Sequence, residues 1–315
     1  MSSTNHDFAR NSALAMALLA MFAFAGLARA SDAREDAVRI NAGAGQFVFV
    51  DEKGDATKRM AVYTYLPARL KADTAPIVFV MHGKGKNAKG YRDIWAQHAE
   101  ARGFMVVAPL FDDAAWGGSY AGDKVFLQGG KPSDASRWSF SVIEHLFDAI
   151  KAATGNRHAT YLLYGHSEGA QFVHRLVWFL PEARFAMAVA ANPGWTTMPD
   201  LAVAFPYGLA NSPATEHSLK QSLERKLTVL LGELDIDPNH AQLRKTPQAM
   251  AQGRHRMERG QTFYRQALER CTAMKCQFGW QLKTVPGAAH SNAQMAGDAA
   301  AVLIDGVAAQ TPTAK

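Results

Sequence analysis

The 315-residue chain has only two cysteines, no internal repeat and no low-complexity tract. The pair, Cys271 and Cys276, has C-x4-C spacing with no second pair, which makes a poor zinc site. No basic run is interleaved with aromatics, so nucleic-acid binding finds no support, and the net charge of +6 is mild. The apolar run at residues 13–27 spans 15 positions, short of the roughly 20 that a membrane-spanning helix needs.

That run follows Arg10 and precedes Ala28-Arg29-Ala30, an A-x-A site, and Ser31. This is the layout of a secretory signal peptide. The expectation is therefore a signal peptide over residues 1–30 and a single domain over 31–315, exported to the periplasm or beyond the cell, without a stable membrane anchor. Without residues 1–30, which hold Arg10, Arg29 and Asp7, the net charge becomes +5. In an exported protein the cysteine pair reads as a disulfide. So small a loop contributes only about 2 kcal/mol.

The remainder alternates between strand-like and helix-like segments. Residues 46–51 and 61–67 read as antiparallel strands. PIVFVMHG (76–83), 104–109, TYLLYG (160–165), 185–191, 227–232 and 279–287 read as further strands, several of them apolar without alternation and so buried on both faces. Helical patterns cover 91–102, 139–155, 168–180 and 291–308. This order predicts an α/β fold with a mostly parallel central sheet and helices on both faces. Residues 110–138 and 192–226 break the pattern as long irregular segments, which in a compact domain are commonly functional.

Residues 165–169 read GHSEG, a G-x-S-x-G. Four apolar residues run into Gly165 and a helix pattern starts straight after Ser167, the strand–turn–helix of a nucleophile elbow. Gly165 and Gly169 satisfy the need for small residues at so sharp a turn. Ser119, in GGSYA, has similar spacing but no preceding strand. A serine nucleophile needs a base and an orienting carboxylate, in the chain order Ser, Asp or Glu, His. His290, in VPGAAHSN just after the last strand, has the right order and place. His166 is read as packing under the elbow and His82 as a structural hydrogen-bonder. For the acid, Glu233, Asp235 and Asp237 all follow the strand at 227–231, with Asp235 favoured by its reach into the loop.

Ser167 in GHSEG, Asp235 in GELD and His290 in VPGAAH resemble the α/β-hydrolase superfamily. ANPGWTTMPD, FPYGL and AQGRHRMERGQTFYR narrow the resemblance to secreted esterases of the poly(3-hydroxybutyrate) depolymerase and feruloyl-esterase type, with poly(aspartic acid) hydrolases on a similar scaffold. The resemblance covers roughly residues 45–308 and implies an acyl-enzyme mechanism without metal or organic cofactor. It implies an oxyanion hole from the N–H groups of Glu168 and of Lys84 in the HGKG turn. The implied partner is a small-molecule or polymeric ester, or alternatively the amide bonds of poly(aspartic acid).

Two features stay open in the sequence. Lys84, Lys86, Lys89 and Arg92, with a second cluster of Arg254, His255, Arg256 and Arg259, form either a groove for a carboxylate-bearing substrate or ordinary surface charge. Trp116, Tyr120, Trp138 and Trp195 line a cleft or belong to the core. Two remote alternatives stand beside the enzyme, a binding protein that has lost catalysis and a phosphate-binding loop at residues 83–92. The latter has Gly85 and Gly90 in G-x-x-x-x-G, but Tyr91 and Arg92 where Lys and Ser/Thr should follow.

Overall fold

The computed structural model describes residues 38–308 apart from 119, 123, 129 and 130. The signal-peptide reading of residues 1–30 and the discounted Ser119 fall outside the described residues.

Ten strands are present among the described residues: β1 (Gly43–Val50), β2 (Arg59–Leu66), β3 (Ile77–Met81), β4 (Met105–Pro109), β5 (Leu127–Gln128), β6 (Lys131–Pro132), β7 (Tyr161–His166), β8 (Phe185–Ala191), β9 (Leu227–Gly232) and β10 (Gln281–Val285). The helices are α1 (Ala88–Arg102), α2 (Asp113–Trp116), α3 (Ser141–Thr154), α4 (Glu168–Phe179), α5 (Glu216–Glu224), α6 (Pro247–Gln252), α7 (Arg256–Ala273) and α8 (Asn292–Ala308). Eight strands form one sheet in the order β1-β2-β4-β3-β7-β8-β9-β10. β2 runs antiparallel to both β1 and β4, and the pairs from β4 through β10 are parallel.

The central strands are apolar on both faces because both are covered. Along β3, Ile77, Phe79 and Met81 enter one core with α3, α4 and α7, whereas Val78 and Val80 enter a second core with α1 and α8. The period-2 alternation of side chains thus feeds two separate cores from one uninterrupted hydrophobic run. This is the architecture expected from the sequence.

Several element boundaries and helices differ from expectation. α1 starts at Ala88, three residues early, because the Asn87 side chain caps it by accepting from the Gly90 N–H. Half of the supposed loop at residues 83–92 is therefore helix. The segment 192–226 is not wholly irregular: Thr215 and Ser218 form a capping box that starts α5. The largest omission is α7. Its buried face comprises Arg256, Arg259, Gly260, Phe263, Ala267 and Cys271, at helical spacing. Two arginines on the inner face hide that stripe from a hydrophobic reading.

Candidate active site

The parallel strands deliver their loops to one edge of the sheet, the usual site of chemistry in such folds. Ser167 follows β7, Asp235 follows β9, His290 follows β10, and Gly83 and Lys84 follow β3.

Ser167 has φ 59° and ψ −115°, a conformation that costs an L-residue of order 1–3 kcal/mol. The neighbours enforce it. A Cβ at Gly165 would overlap the carbonyl of Gly169, and a Cβ at Gly169 would overlap the carbonyls of Met81 and His82. The Ser167 N–H donates to the Ala191 carbonyl at 3.0 Å, and its carbonyl accepts from Ala170 and Gln171 in the first turn of α4. The hydroxyl is thereby held clear of the turn.

His290 Nε2 lies 3.0 Å from Ser167 Oγ, and its Nδ1 lies 2.7 Å from Asp235 Oδ2. A carboxylate only accepts, so Nδ1 carries the proton and Nε2 is left to accept from the serine hydroxyl. Asp235 is 4% exposed, and a buried charge needs compensation. Its other oxygen, Oδ1, accepts from Arg256 Nη1 at 3.2 Å. Arg256 Nη2 donates to His240 Nδ1 at 3.1 Å. Glu233 and Asp237, the other candidate acids, form no hydrogen bond or ion pair with His290; Glu233 instead accepts from Thr284 at 2.8 Å.

Backbone bonds tie these loops together. Leu234 N–H donates to the Ala288 carbonyl at 2.9 Å. Asn192, at φ 48°, accepts from the Gly232 N–H through Oδ1 at 2.7 Å and donates through Nδ2 to the Ala289 carbonyl at 3.1 Å. One side chain thus links the ends of β8 and β9 to the turn that bears His290. Asn192 stands in the quoted ANPGW, but nothing in a lone Asn signals that task.

Beneath the site lie two histidines of different kinds. His82 accepts from the Phe111 N–H through Nε2 and donates from Nδ1 to the Gly83 carbonyl, both at 3.0 Å. Burial pushes its pKa down to about 4. His166 packs 4.7 Å, ring to ring, from His290. Burial first, then the neighbouring His290 and Arg256, hold it well below the usual histidine range. Its Nδ1 faces the Tyr91 hydroxyl at 3.1 Å, and burial pushes that phenol up to about 12, so it keeps its proton. The backbone at Gly83 also runs close to the Tyr91 hydroxyl and Ser167 Cβ: a Cβ there would meet them at 3.0 and 3.4 Å, so a larger residue would push these neighbours apart.

Glu168 opens α4, so its N–H has no intrahelical acceptor. Lys84 lines the same two cavities as Ser167. One, about 360 Å³, also contains Trp195, Gln242, Arg244 and Gly194. The other, about 260 Å³, contains His290, His166, Asn292 and Gln242. A larger cavity of about 840 Å³ between β10 and α8 is remote from these residues and holds no serine–histidine pair.

The structure corrects part of the substrate-binding expectation. Trp116 and Tyr120 are core residues, 3% and 2% exposed. Trp116 packs edge-on against Phe111, and Tyr120 stacks between Phe111 and Phe172 while donating to the His82 carbonyl at 2.9 Å. Trp138 is likewise in the core. Trp195 alone of the four lines the cavity beside Ser167. Lys86 lines neither cavity: its Nζ pairs with Glu168 at 3.1 Å and Asp113 at 3.6 Å, clamping the β3 loop to the start of α4. Lys89 pairs with Asp93, and Arg92 is buried against Asp93 and two backbone carbonyls. Arg254 and His255 pair with Glu258. Arg259 is buried and donates to the carbonyls of Gly253, Gly194 and Arg244. Cys271 and Cys276 are bridged, at the end of α7.

No protein-family model matches the chain, and no curated protein does. Solved structures do match. Poly(aspartic acid) hydrolase-1 from Sphingomonas sp. KT-1 is 42% identical, with a TM-score of 0.80 over 84% of this chain and 99% of that one. LpqC, a poly(3-hydroxybutyrate) depolymerase from Bordetella parapertussis, is 34% identical, with a TM-score of 0.79 over 87% of this chain and 92% of that one. An S-formylglutathione hydrolase from Agrobacterium tumefaciens, 16% identical with a TM-score of 0.52 over 86% of this chain and 95% of that one, shares the fold alone.

Proposed function

This chain belongs to the α/β-hydrolase family of serine hydrolases, and from that membership we propose that it cleaves carboxylic esters, polymeric or small, through an acyl-enzyme on Ser167. The observation that carries the reading is the 3.0 Å approach of His290 Nε2 to Ser167 Oγ, with Asp235 behind the ring at 2.7 Å. His290 takes the hydroxyl proton as Oγ attacks the carbonyl carbon. Asp235 holds the ring in the tautomer that accepts it and stabilises the imidazolium that forms. The tetrahedral oxyanion faces the N–H groups of Lys84 and Glu168, each such donor being worth about 2.7–4 kcal/mol in the transition state. Collapse expels the alcohol, which leaves with the proton from His290 Nε2. Water then repeats the sequence to release the acid. No cofactor takes part.

A second reading, hydrolysis of poly(aspartic acid) amides, is favoured by the 42% identity to a protein of that activity. We also infer that residues 31–315 act as one exported catalytic domain in the periplasm or outside the cell. The A-x-A pattern after residues 13–27 and the disulfide support export. Among the described residues no helix is long and apolar enough to cross a membrane.

The test compares the protein with Ser167→Ala on p-nitrophenyl butyrate, a feruloyl ester, poly(3-hydroxybutyrate) and poly(aspartate). At least one substrate should be turned over, and the variant should lose at least about 10⁴-fold in kcat. Residual turnover within tenfold of the parent would remove Ser167 from the mechanism.

A further inference from the structure

Two cavities meet at Ser167, and they differ in what they hold. Lys84, Ser167 and Gln242 belong to both and form the saddle between them. His290 lines only the smaller cavity, and Trp195 and Arg244 line only the larger.

The chemistry assigns a direction to that asymmetry. The departing atom must receive its proton from His290 Nε2, so it has to lie within hydrogen-bond reach of that nitrogen. The leaving group therefore departs into the cavity that His290 lines. The acyl group, still bonded to Oγ, is left with the cavity of Trp195 and Arg244.

Arg244 is placed to read that acyl group. Its guanidinium carbon lies 4.7 Å over the Trp195 ring and 5.5 Å from that of Tyr207. Its Nε donates to the Tyr207 hydroxyl at 2.7 Å, and its carbonyl accepts from the buried Arg259. The side chain is exposed yet held at several points, so little rotamer freedom remains to be lost on binding. The wall's own carboxylate, Glu168, is engaged by Lys86, and Arg256 by Asp235. Among the described residues no carboxylate lies within 4 Å of Arg244 or of Lys84. Among the described residues, two cations of the larger cavity thus have no charge partner, one of them in a fixed planar fork suited to a carboxylate.

We propose that the Trp195–Arg244 cavity is the acyl subsite and that Arg244 selects acyl groups bearing a carboxylate, while the His290 cavity takes the leaving group. The assignment rests on the acyl-enzyme reading above. The bonds made and broken are those of that reading; only the orientation of the substrate is added.

The experiment uses three esters of one acyl length. p-Nitrophenyl hemiadipate carries its carboxylate on the acyl side, 4-(hexanoyloxy)benzoate carries it on the leaving side, and p-nitrophenyl hexanoate is neutral. For Arg244→Met, the kcat/KM ratio of hemiadipate to hexanoate should fall at least about tenfold, the lower end for a charge-assisted hydrogen bond. The ratio of 4-(hexanoyloxy)benzoate to hexanoate should stay within twofold, and Arg244→Lys should restore part of the first ratio. Equal loss on all three esters would overturn the role of Arg244. A drop confined to 4-(hexanoyloxy)benzoate would reverse the two cavities. Absence of turnover of every ester by a protein that fails to react at Ser167 would overturn the acyl-enzyme reading and this assignment with it.

Discussion

Arg256 shows how much one side chain can change the meaning of a charge cluster. By position it belongs to a basic run, yet it is 2% exposed and spends its guanidinium on Asp235 and His240. A carboxylate as deep as Asp235 is tolerated only with such a partner. Removing one member of a buried pair leaves the other uncompensated. Arg256→Met should therefore destabilise the fold by about 3 kcal/mol, read as the shift in urea unfolding at unchanged slope. Arg256→Lys should recover part of it. No change in the midpoint would mean that His290 alone satisfies Asp235. The same scale explains what the residues did not reveal. Ser167 and His290 stand in local patterns, an elbow after an apolar strand and a histidine after the last strand, and short-range spacing is legible in a sequence. Arg244, Gln242 and Asn192 act across loops far apart in the chain, and no local pattern marks them.

At the scale of elements, the turn after β3 is where backbone and side chains interlock. His82 bridges it to the start of the segment after β4, donating to Gly83 and accepting from Phe111. The bond from Phe111 requires an unprotonated Nε2, and burial holds the His82 pKa at about 4. The unfolded chain takes up that proton near pH 6.5. Between those values the unfolded state binds more protons, so stability rises with pH. The contribution of His82 is complete above about pH 6.5 and erodes as pH falls, by about 2 kcal/mol at pH 5 and about 3 kcal/mol near pH 4. A series of urea melts from pH 7 to 5 should show that loss, and His82→Gln should flatten it. An equally steep series in the variant would assign the acid sensitivity elsewhere, His166 and His174 being buried neutral in the same way. Elements with uninterrupted apolar runs, β3, β4 and β7, could be read directly from the residues. α7 could not, because its inner face begins with two arginines that find their partners only after folding.

At the scale of the whole molecule, the topology is what makes a site out of scattered residues. The sheet places β3, β7, β8 and β9 side by side with β10 at the end. The loops that leave their carboxyl ends carry Lys84, Ser167, Asn192, Asp235 and His290 to one rim. Gly83 of the HGKG turn allows the close approach to Ser167, and most of the positive charge around it is consumed by internal pairing. What remains is a serine poised between two cavities. Acyl transfer at this rim depends on the reactivity of that serine. Brief exposure to a fluorophosphonate probe, followed by tandem mass spectrometry of the digested protein, tests it directly. One equivalent of adduct is expected on the peptide containing Ser167, and little adduct in His290→Ala. An unlabelled Ser167 in the folded parent protein, or an adduct on another serine, would contradict it.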